Sequence, residues 1–300
     1  MTVAVTVVIP VYNGGTTIAM CLGAIASQSI PPDTYEIIVV DDGSKDNTAE
    51  IASQFPAQLL KQENQGAPAA RNRGIQEARG TWIAFTDADC IPSRNWLEWL
   101  LRAVEKGHSP TKNILGAAGR IIGYGSETEA SRFVDLMGGL DSERHLAHPL
   151  YPFAVFGNTM YRRDCLNAIG GVDSRFYTYD ACDLHTRLIR HSPGEFHFVP
   201  KAVVLHHHRP DWTSYRRQQF GYGKGLGQFY WKYRKEVRWS FRRELGAWAS
   251  LLPMGFATLF KKKGDEALLR RGHFLKNLFQ RCGFIRTYWN PRERKRWQTN

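Results

Sequence analysis

Asp87-Ala88-Asp89 closes the apolar run Trp82-Ile83-Ala84-Phe85, and Asp41-Asp42 closes Tyr35-Glu36-Ile37-Ile38-Val39-Val40. Carboxylates at the ends of buried strands are costly unless a cation or a fixed set of donors meets them, because an ionised carboxylate in apolar surroundings carries a large desolvation penalty. Each acidic pair therefore marks a site. The Asp-x-Asp spacing turns both of its carboxylates to one side of an extended strand tip. Oxygen ligands of this kind, with room for water, suit Mg²⁺ or Mn²⁺ held jointly with substrate phosphates. The competing use of such aspartates is as strand-end turn formers.

The elements that must position them alternate along the chain. Val3 to Ile9 is a β-branched run ended by Pro10, and Thr16-Thr17 offers N-caps for a helix with Ile18, Cys21, Leu22 and Ile25 on one face. A second strand, Tyr35 to Val40, leads through Gly43-Ser44 into a helix near Thr48 to Ser53. Leu59-Leu60 is a short strand, Asn64-Gln65-Gly66 a turn, and about Pro68 to Ala78 a helix. After the strand that carries Asp87 and Asp89, Ser93 caps a helix with Trp96, Leu97, Leu100, Leu101 and Val104 inward. Strands separated by helices imply an α/β chain with a parallel, doubly wound sheet. Ligands of such sheets bind at the carboxyl ends of the strands, where both acidic pairs lie.

Composition agrees with an enzyme of one domain or slightly more. At 300 residues and 43% hydrophobic content the chain can bury a full core. Five cysteines, an odd number without C-x-x-C spacing, fit a reducing cytosol. The N-terminus enters a strand pattern at once, without the basic region or cleavage site of a signal peptide.

Four segments then occur in a telling order: Pro10-Val11-Tyr12-Asn13; Val39-Val40-Asp41-Asp42-Gly43-Ser44 with Asp46; Asn64-Gln65-Gly66 with Ala70-Arg71-Asn72 and Gly74; and Phe85-Thr86-Asp87-Ala88-Asp89. In that order and spacing they resemble glycosyltransferase family two. Gly157-Asn158-Thr159-Met160-Tyr161-Arg162-Arg163 and Gly170-Gly171-Val172-Asp173 resemble the family's acceptor-side segment, so the likeness spans about residues 3 to 225. The resemblance implies a GT-A fold: a Rossmann-like nucleotide-sugar-binding half, about 1–115, fused to an acceptor-binding half and lid, 116–225. It implies inverting transfer of a single sugar from a nucleotide-diphosphate sugar to a hydroxyl acceptor. Carried over residue by residue, it implies Pro10, Tyr12 and Asp42 around the nucleoside, with Asp41 beside them. It also implies Asp87 at the ribose or a metal-bound water, Asp89 on the metal, and Gly157 and Asn158 at the substrate. Arg71 either forks onto the donor's phosphates or is a buried partner of one of the paired aspartates. Gly66 and Gly74 read as backbone necessities.

Inverting displacement requires a carboxylate across the sugar ring from the leaving phosphates. The resemblance puts it just before an Asp-Leu pair, here within Tyr179-Asp180-Ala181-Cys182-Asp183-Leu184. The chain departs from the fuller pattern Glu-Asp-x-Asp-Leu: aligning Asp183-Leu184 sets Asp180 on the Glu and Ala181 on the catalytic Asp. Asp180 is the favoured base, with Asp183 or a base elsewhere as the alternatives, although the helix dipole alone favours an acid such as Asp183 in a first turn.

The apolar run Phe196 to Leu205 reads as a last strand pointing back at the donor site and ends in His206-His207-His208. Alternation gives His206 and His208 one face. A neutral imidazole at His206 supplies a third metal ligand or neutralises the leaving phosphate, against the reading of a solvated strand end. The spacing disfavours a three-His zinc site, because consecutive strand residues cannot converge on one tetrahedral ion.

Trp212 to Gly225 resembles the lid of non-processive members, a basic, glycine-bearing loop that orders over the donor. Residues 226–300 form a basic C-terminal region. Leu245 to Phe260 is apolar, carries Pro253, falls short of the roughly 20 residues that span a bilayer, and precedes Lys261-Lys262-Lys263. Leu268, Leu269, Phe274, Leu275, Leu278 and Phe279 interleave with Arg270, Arg271, Lys276 and Arg281 as a basic amphipathic helix. With a net charge of +12 this predicts an anionic membrane surface as a partner, on the cytoplasmic face of the plasma membrane, where a lipid-linked acceptor or cell-envelope precursor is presented. The competing reading packs these helices on the catalytic domain with a solvated basic face.

Other function classes fit less. A dinucleotide oxidoreductase needs Gly-x-Gly-x-x-Gly after the first strand, where this chain has Pro10-Val11-Tyr12-Asn13-Gly14-Gly15. A nucleic-acid binder would explain the basic tail but not strand-end aspartates, which repel phosphate. A lapsed transferase that keeps only nucleotide-sugar binding is the alternative Ala181 leaves open.

Overall fold

The computed structural model describes residues 3–106, 113–125, 128–138, 140, 142–237, 240–259 and 264–297. The chain begins β1 (Val5–Val11), α1 (Ile18–Ala26), β2 (Tyr35–Asp41), α2 (Thr48–Ala52), β3 (Gln58–Lys61), α3 (Ala67–Glu77) and β4 (Trp82–Phe85). These strands pair in parallel in the order β3-β2-β1-β4. The strand order reverses between β1 and β4, the kind of switch point beside which ligands of such sheets bind, at the carboxyl ends of the strands.

β1 runs two residues past the point where Pro10 is expected to end it. Its pairing with β4 stops at Val8 opposite Phe85, while Val11 still accepts from the Asp42 N–H at 2.8 Å on the β2 side. Alternation turns Pro10 to the side where β4 has ended, so its missing N–H breaks no ladder. Side chains alternate likewise: Val5, Val7, Ile9 and Val11 share one core with Ile18, Leu22 and Ile25 of α1. Val8 enters a second core on the other face with Ile75 of α3. There Gly74 is obligatory, since a Cβ on it would lie 2.3 Å from a Val8 methyl.

The chain continues through β5 (Cys90–Pro92), α4 (Trp96–Lys106), β6 (Ile114–Tyr124), α5 (Glu129–Leu136), α6 (Ser142–Leu146), β7 (Thr159–Arg162), α7 (Arg163–Ala168), α8 (Asp180–His191) and β8 (Glu195–His207). β7 is antiparallel to both β4 and β6, β6 is parallel to β8, and β5 is antiparallel to β8. The eight-stranded order is β3-β2-β1-β4-β7-β6-β8-β5. The parallel sheet read from the sequence is thus half of a larger mixed sheet, with helices on both faces.

Contacts divide the chain into two compact units. The first, residues 1–124, 140–175 and 180–207, holds the sheet. The second, 125–139, 176–179 and 208–300, is helical: besides α5 it contains α9 (Trp212–Lys232), α10 (Phe241–Ala249), α11 (Leu251–Leu259), α12 (Asp265–Tyr288) and α13 (Pro291–Arg296). Residues 212–225, expected as a loop, are helical. Asp211 caps them, accepting from the N–H groups of Thr213 and Ser214 at 2.7 and 2.8 Å.

Gly223 of that segment serves packing. A Cβ on Gly223 would lie 1.9 Å from the Gln280 carbonyl oxygen, and one on Gly283 would lie 2.1 Å from that of Phe220. Helices α9 and α12 therefore meet backbone to backbone. We expect Gly223→Ala to destabilise the protein by about 1–3 kcal/mol through overpacking, read by thermal unfolding. An unchanged melting temperature would contradict that role.

α12 spends its apolar side chains inside this unit. Phe133 of α5 rests on Gly272, Phe284 stacks edge-on with Tyr230 at 5.5 Å, and Leu268, Leu269, Phe274, Leu275, Leu278 and Phe279 are all half-buried. Lys261-Lys262-Lys263 lie outside the described residues. Among the described residues no helix is long and apolar enough to cross a membrane.

Candidate active site

At the end of β2 the acidic pair is met by fixed donors. The buried Asp42 carboxylate accepts from Gln62 Nε2 at 2.7 Å and from the N–H groups of Gln65 and Gly66 at 2.9 and 2.8 Å. Asp41 accepts from the Ser44 N–H at 2.8 Å. Asn13 adds a cross-tie, its side-chain oxygen accepting from the Lys45 N–H at 2.8 Å. Gly43 and Gly66, at φ +80° and +90°, make the turns that aim these N–H groups. The loops so fixed wall an open groove lined by Tyr12, Lys45, Lys61 and Asn64 among others. Tyr12 is 49% exposed, whereas Pro10 is buried within β1. The two lysines were not foreseen; Lys61, opposite Asp41 at the carboxyl end of β3, carries the positional signal that could have found it.

At the end of β4 the decisive residue is Arg71 of α3. One terminal nitrogen pairs with Asp87 at 2.9 Å and the other with Asp180 at 2.9 Å, while the guanidinium lies 4.2 Å over the Phe156 ring. Both of its ends are thus committed to carboxylates. Asp180 opens α8 directly after Tyr179, whose φ of +69° is a left-handed conformation that a tyrosine adopts only when its surroundings impose it. Burial raises the Asp180 pKa, the Arg71 charge opposes the rise, and the Asp87 charge adds to it. Phe156 gave no signal in the sequence. Its role as a platform depends on a contact 85 positions away in the chain, between residues 71 and 156.

Asp183 is in a different situation. It is fully buried and pairs with Arg187 one turn on at 2.8 Å, and Arg187 also donates to the carbonyls of Ile169 and Gly171. Ala181 packs against the second core.

Asp89 belongs to a third grouping. The register of β5 on β8 sets Cys90 opposite His206, and Asp89 Oδ1 lies 3.6 Å from His206 Nε2. Ligand atoms of Asp89, Cys90 and His206 all fall within 4.8 Å of one another. A carboxylate oxygen and an imidazole nitrogen this close fit a divalent cation of the Mg²⁺ or Mn²⁺ kind. The Cys90 thiol is pushed well up by burial and then by the charges of Asp87 and Asp89, so it stands beside them as a neutral group. Asp87 is turned to Arg71, and the two carboxylates of Asp87-Ala88-Asp89 consequently face different partners.

The remaining expected residues are held by contacts inside their own unit. Asn158 is fully buried: its oxygen accepts from Trp96 Nε1 at 2.7 Å and its nitrogen donates to the carbonyls of Arg120 and Ala202 at 2.9 and 2.8 Å. The Gly157 carbonyl accepts from Thr86 Oγ1 at 3.0 Å, and a Cβ on Gly157 would lie 3.5 Å from Asp87 Oδ2. In the helical unit His208 uses its Nε2 on Asp135 at 3.0 Å.

Comparison with known proteins shows the family and the fold. The model of the family described as Glycosyl transferase family 2 matches residues 6–170. The glycosyltransferase AglE of Haloferax volcanii is 31% identical over 256 residues, 83% of this chain and 81% of that protein. The pre-mycofactocin glycosyltransferase of Mycobacterium tuberculosis is 28% identical over 222 residues, 70% of this chain but 44% of that protein. Among solved structures, the mannosyltransferase PcManGT from Pyrobaculum calidifontis, in complex with GDP-Man and Mn²⁺, matches at a TM-score of 0.66 and 20% identity, covering 97% of this chain and 88% of that one. TarS of S. aureus in complex with UDP-GlcNAc matches at 0.56 and 16% identity, covering 98% and 78%. The mixed sheet with helices on both faces is the GT-A fold. With more than half of its length matched by the family model, the chain belongs to glycosyltransferase family 2 and is a glycosyltransferase.

Proposed function

We propose that the protein moves a single sugar, with inversion, from a nucleotide-diphosphate sugar to an acceptor hydroxyl, using Asp180 as base and a divalent cation, Mn²⁺ or Mg²⁺, at Asp89 and His206. The observation that carries this reading is the chain Asp87–Arg71–Asp180, which brings a buried carboxylate from the start of α8 to the strand-end acid of β4. The GDP-Man held by PcManGT and the UDP-GlcNAc held by TarS support a nucleotide sugar as donor.

Tyr12 and the lysines Lys45 and Lys61 receive the nucleoside and its phosphates in the groove beside Asp41 and Asp42. The cation, when bound, neutralises the diphosphate as it leaves. Asp89 offers it an oxygen and His206 a nitrogen. Asp180 takes the proton of the acceptor hydroxyl as that oxygen bonds to C1 of the sugar. The bond from C1 to the phosphate oxygen breaks on the opposite side, its electron pair leaving with the diphosphate. Arg71 holds Asp180 in position and favours its ionised form, which the base must have.

We place the reaction at the cytoplasmic face of an anionic membrane, with a lipid-linked or cell-envelope acceptor. Residues 208–300 carry 22 Lys and Arg against 6 Asp and Glu, a balance of +16, whereas residues 1–207 carry 18 against 22, a balance of −4. Near-surface basic side chains contribute about 1 kcal/mol each toward anionic lipid.

A second reading is favoured by Ala181, which packs against the core where the family pattern has its catalytic Asp: a protein that binds nucleotide sugar without turning it over. Release of nucleoside diphosphate from GDP-mannose and UDP-GlcNAc, each with Mn²⁺ or Mg²⁺, separates the two. The first reading expects release from at least one donor, abolished by chelator. Thermal stabilisation by a donor without any release would establish the second.

A further inference from the structure

Among the described residues, four of the five most exposed large hydrophobic side chains lie on α10 and α11: Leu252 at 77%, Phe241 at 66%, Phe256 at 62% and Leu245 at 58%. Singly scattered exposed apolar residues need no explanation, but a concentration of them does. Phe241 and Leu245 are one turn apart on α10, and Leu252 and Phe256 one turn apart on α11. The seven-residue step between Leu245 and Leu252 continues the row across Ser250, whose N–H still bonds to the Gly246 carbonyl at 2.9 Å.

The row is outward because the other sides of these helices are anchored. Glu244 pairs with Arg281 of α12 at 2.9 Å, Leu251 is buried, and a Cβ on Gly255 would meet the Phe274 ring at 3.1 Å. The two helices, of nine residues each, are far too short to span a bilayer. Exposed Arg242 flanks the row on α10, Lys235, Arg271 and Arg286 are exposed in the same unit, and Lys261-Lys262-Lys263 follow in the sequence.

Charge decides what covers the row. A second copy of this chain would bring one strongly basic unit against another, whereas anionic headgroups supply the missing counter-charge. We propose that α10–α11 is the membrane-insertion element, with Phe241, Leu245, Leu252 and Phe256 entering the boundary between headgroups and acyl chains. α12, whose sequence pattern looks like the lipid-binding helix, is instead the support on which the insertion element rests. This rests on the membrane placement above and goes beyond it by naming the face.

Flotation of the full chain with phosphatidylglycerol-containing vesicles and with pure phosphatidylcholine vesicles tests it. The comparison is wild type against Phe241→Ser/Leu245→Ser/Leu252→Ser/Phe256→Ser, with the milder Leu252→Ser/Phe256→Ser as a second variant and circular dichroism to check the fold. Wild type should float with anionic vesicles, the double variant about tenfold less and the quadruple variant about a hundredfold less, as expected for withdrawing apolar side chains from the interface. Binding by all three proteins alike would overturn the insertion row while leaving charge-driven attachment in place. No binding by wild type at low salt would overturn the membrane placement itself. A wild-type dimer in light scattering that the quadruple variant breaks, without vesicle binding, would assign the row to self-association and overturn the proposal.

Discussion

Asp180→Asn should lower turnover by about 10² to 10⁴, the range typical of removing a general base, while donor affinity stays near the wild-type value. The base acts in the transition state and contributes little to holding the donor. Asp183→Asn should behave in the opposite way. Asp183 is fully buried and its charge is matched by Arg187, so the substitution breaks a buried pair and lowers stability with turnover per folded molecule retained. Steady-state kinetics and urea unfolding of the two variants decide between them. Lost turnover in Asp183→Asn with full activity in Asp180→Asn would reverse the assignment.

Arg71→Met should destabilise the protein by about 3–5 kcal/mol, the usual cost of leaving a buried charge without its partner. Asp180 is the carboxylate most affected, because Asp87 is a third exposed at its side chain and can turn to water. The same variant shifts the pH dependence of turnover. Burial already raises the Asp180 pKa and Arg71 opposes that rise, so turnover should increase with pH through a value above the ordinary carboxylate range. Losing Arg71 should move that acid limb further up, because the one charge that opposes the rise is gone. The effect on stability has the opposite sign. Folding favours the neutral form, so the contribution of Asp180 is full below its unfolded pKa and is lost as pH rises through the folded one. Arg71→Lys should restore part of the stability but not the two-pronged geometry. An acid limb that stays in place in Arg71→Met would show that the pair does not set the state of Asp180.

Why some of this was legible in the sequence and some was not follows from how far each contact reaches. β1, β2 and β4 announce themselves because a β-branched run ending in Asp is a local pattern, and the site sits where those runs end. Arg71 stayed ambiguous because its second partner, Asp180, is 109 residues away and nothing near residue 71 points to it. His206 was visible as a strand end, but its closeness to Asp89 depends on the antiparallel register of β5 on β8. Glycines 221, 223 and 225 suggested a mobile loop because composition alone cannot distinguish a hinge from a helix that needs glycine to touch its neighbour. Gly223 against Gln280 is the contact that distinguishes them. The Leu and Phe spacing of α12 fits lipid and protein equally well, and only the packing of α9 and α5 along it decides.

The central claim is that Asp89 and His206 hold the divalent cation that a departing nucleoside diphosphate requires. Titration of Mn²⁺ followed by electron paramagnetic resonance, with UDP or GDP present, tests it on wild type and on Asp89→Ala. The account predicts that free Mn²⁺ signal is lost to wild type in the presence of at least one nucleotide and is retained with Asp89→Ala, while circular dichroism shows the variant folded. Equal uptake of Mn²⁺ by both proteins, or none by wild type with either nucleotide, would contradict it.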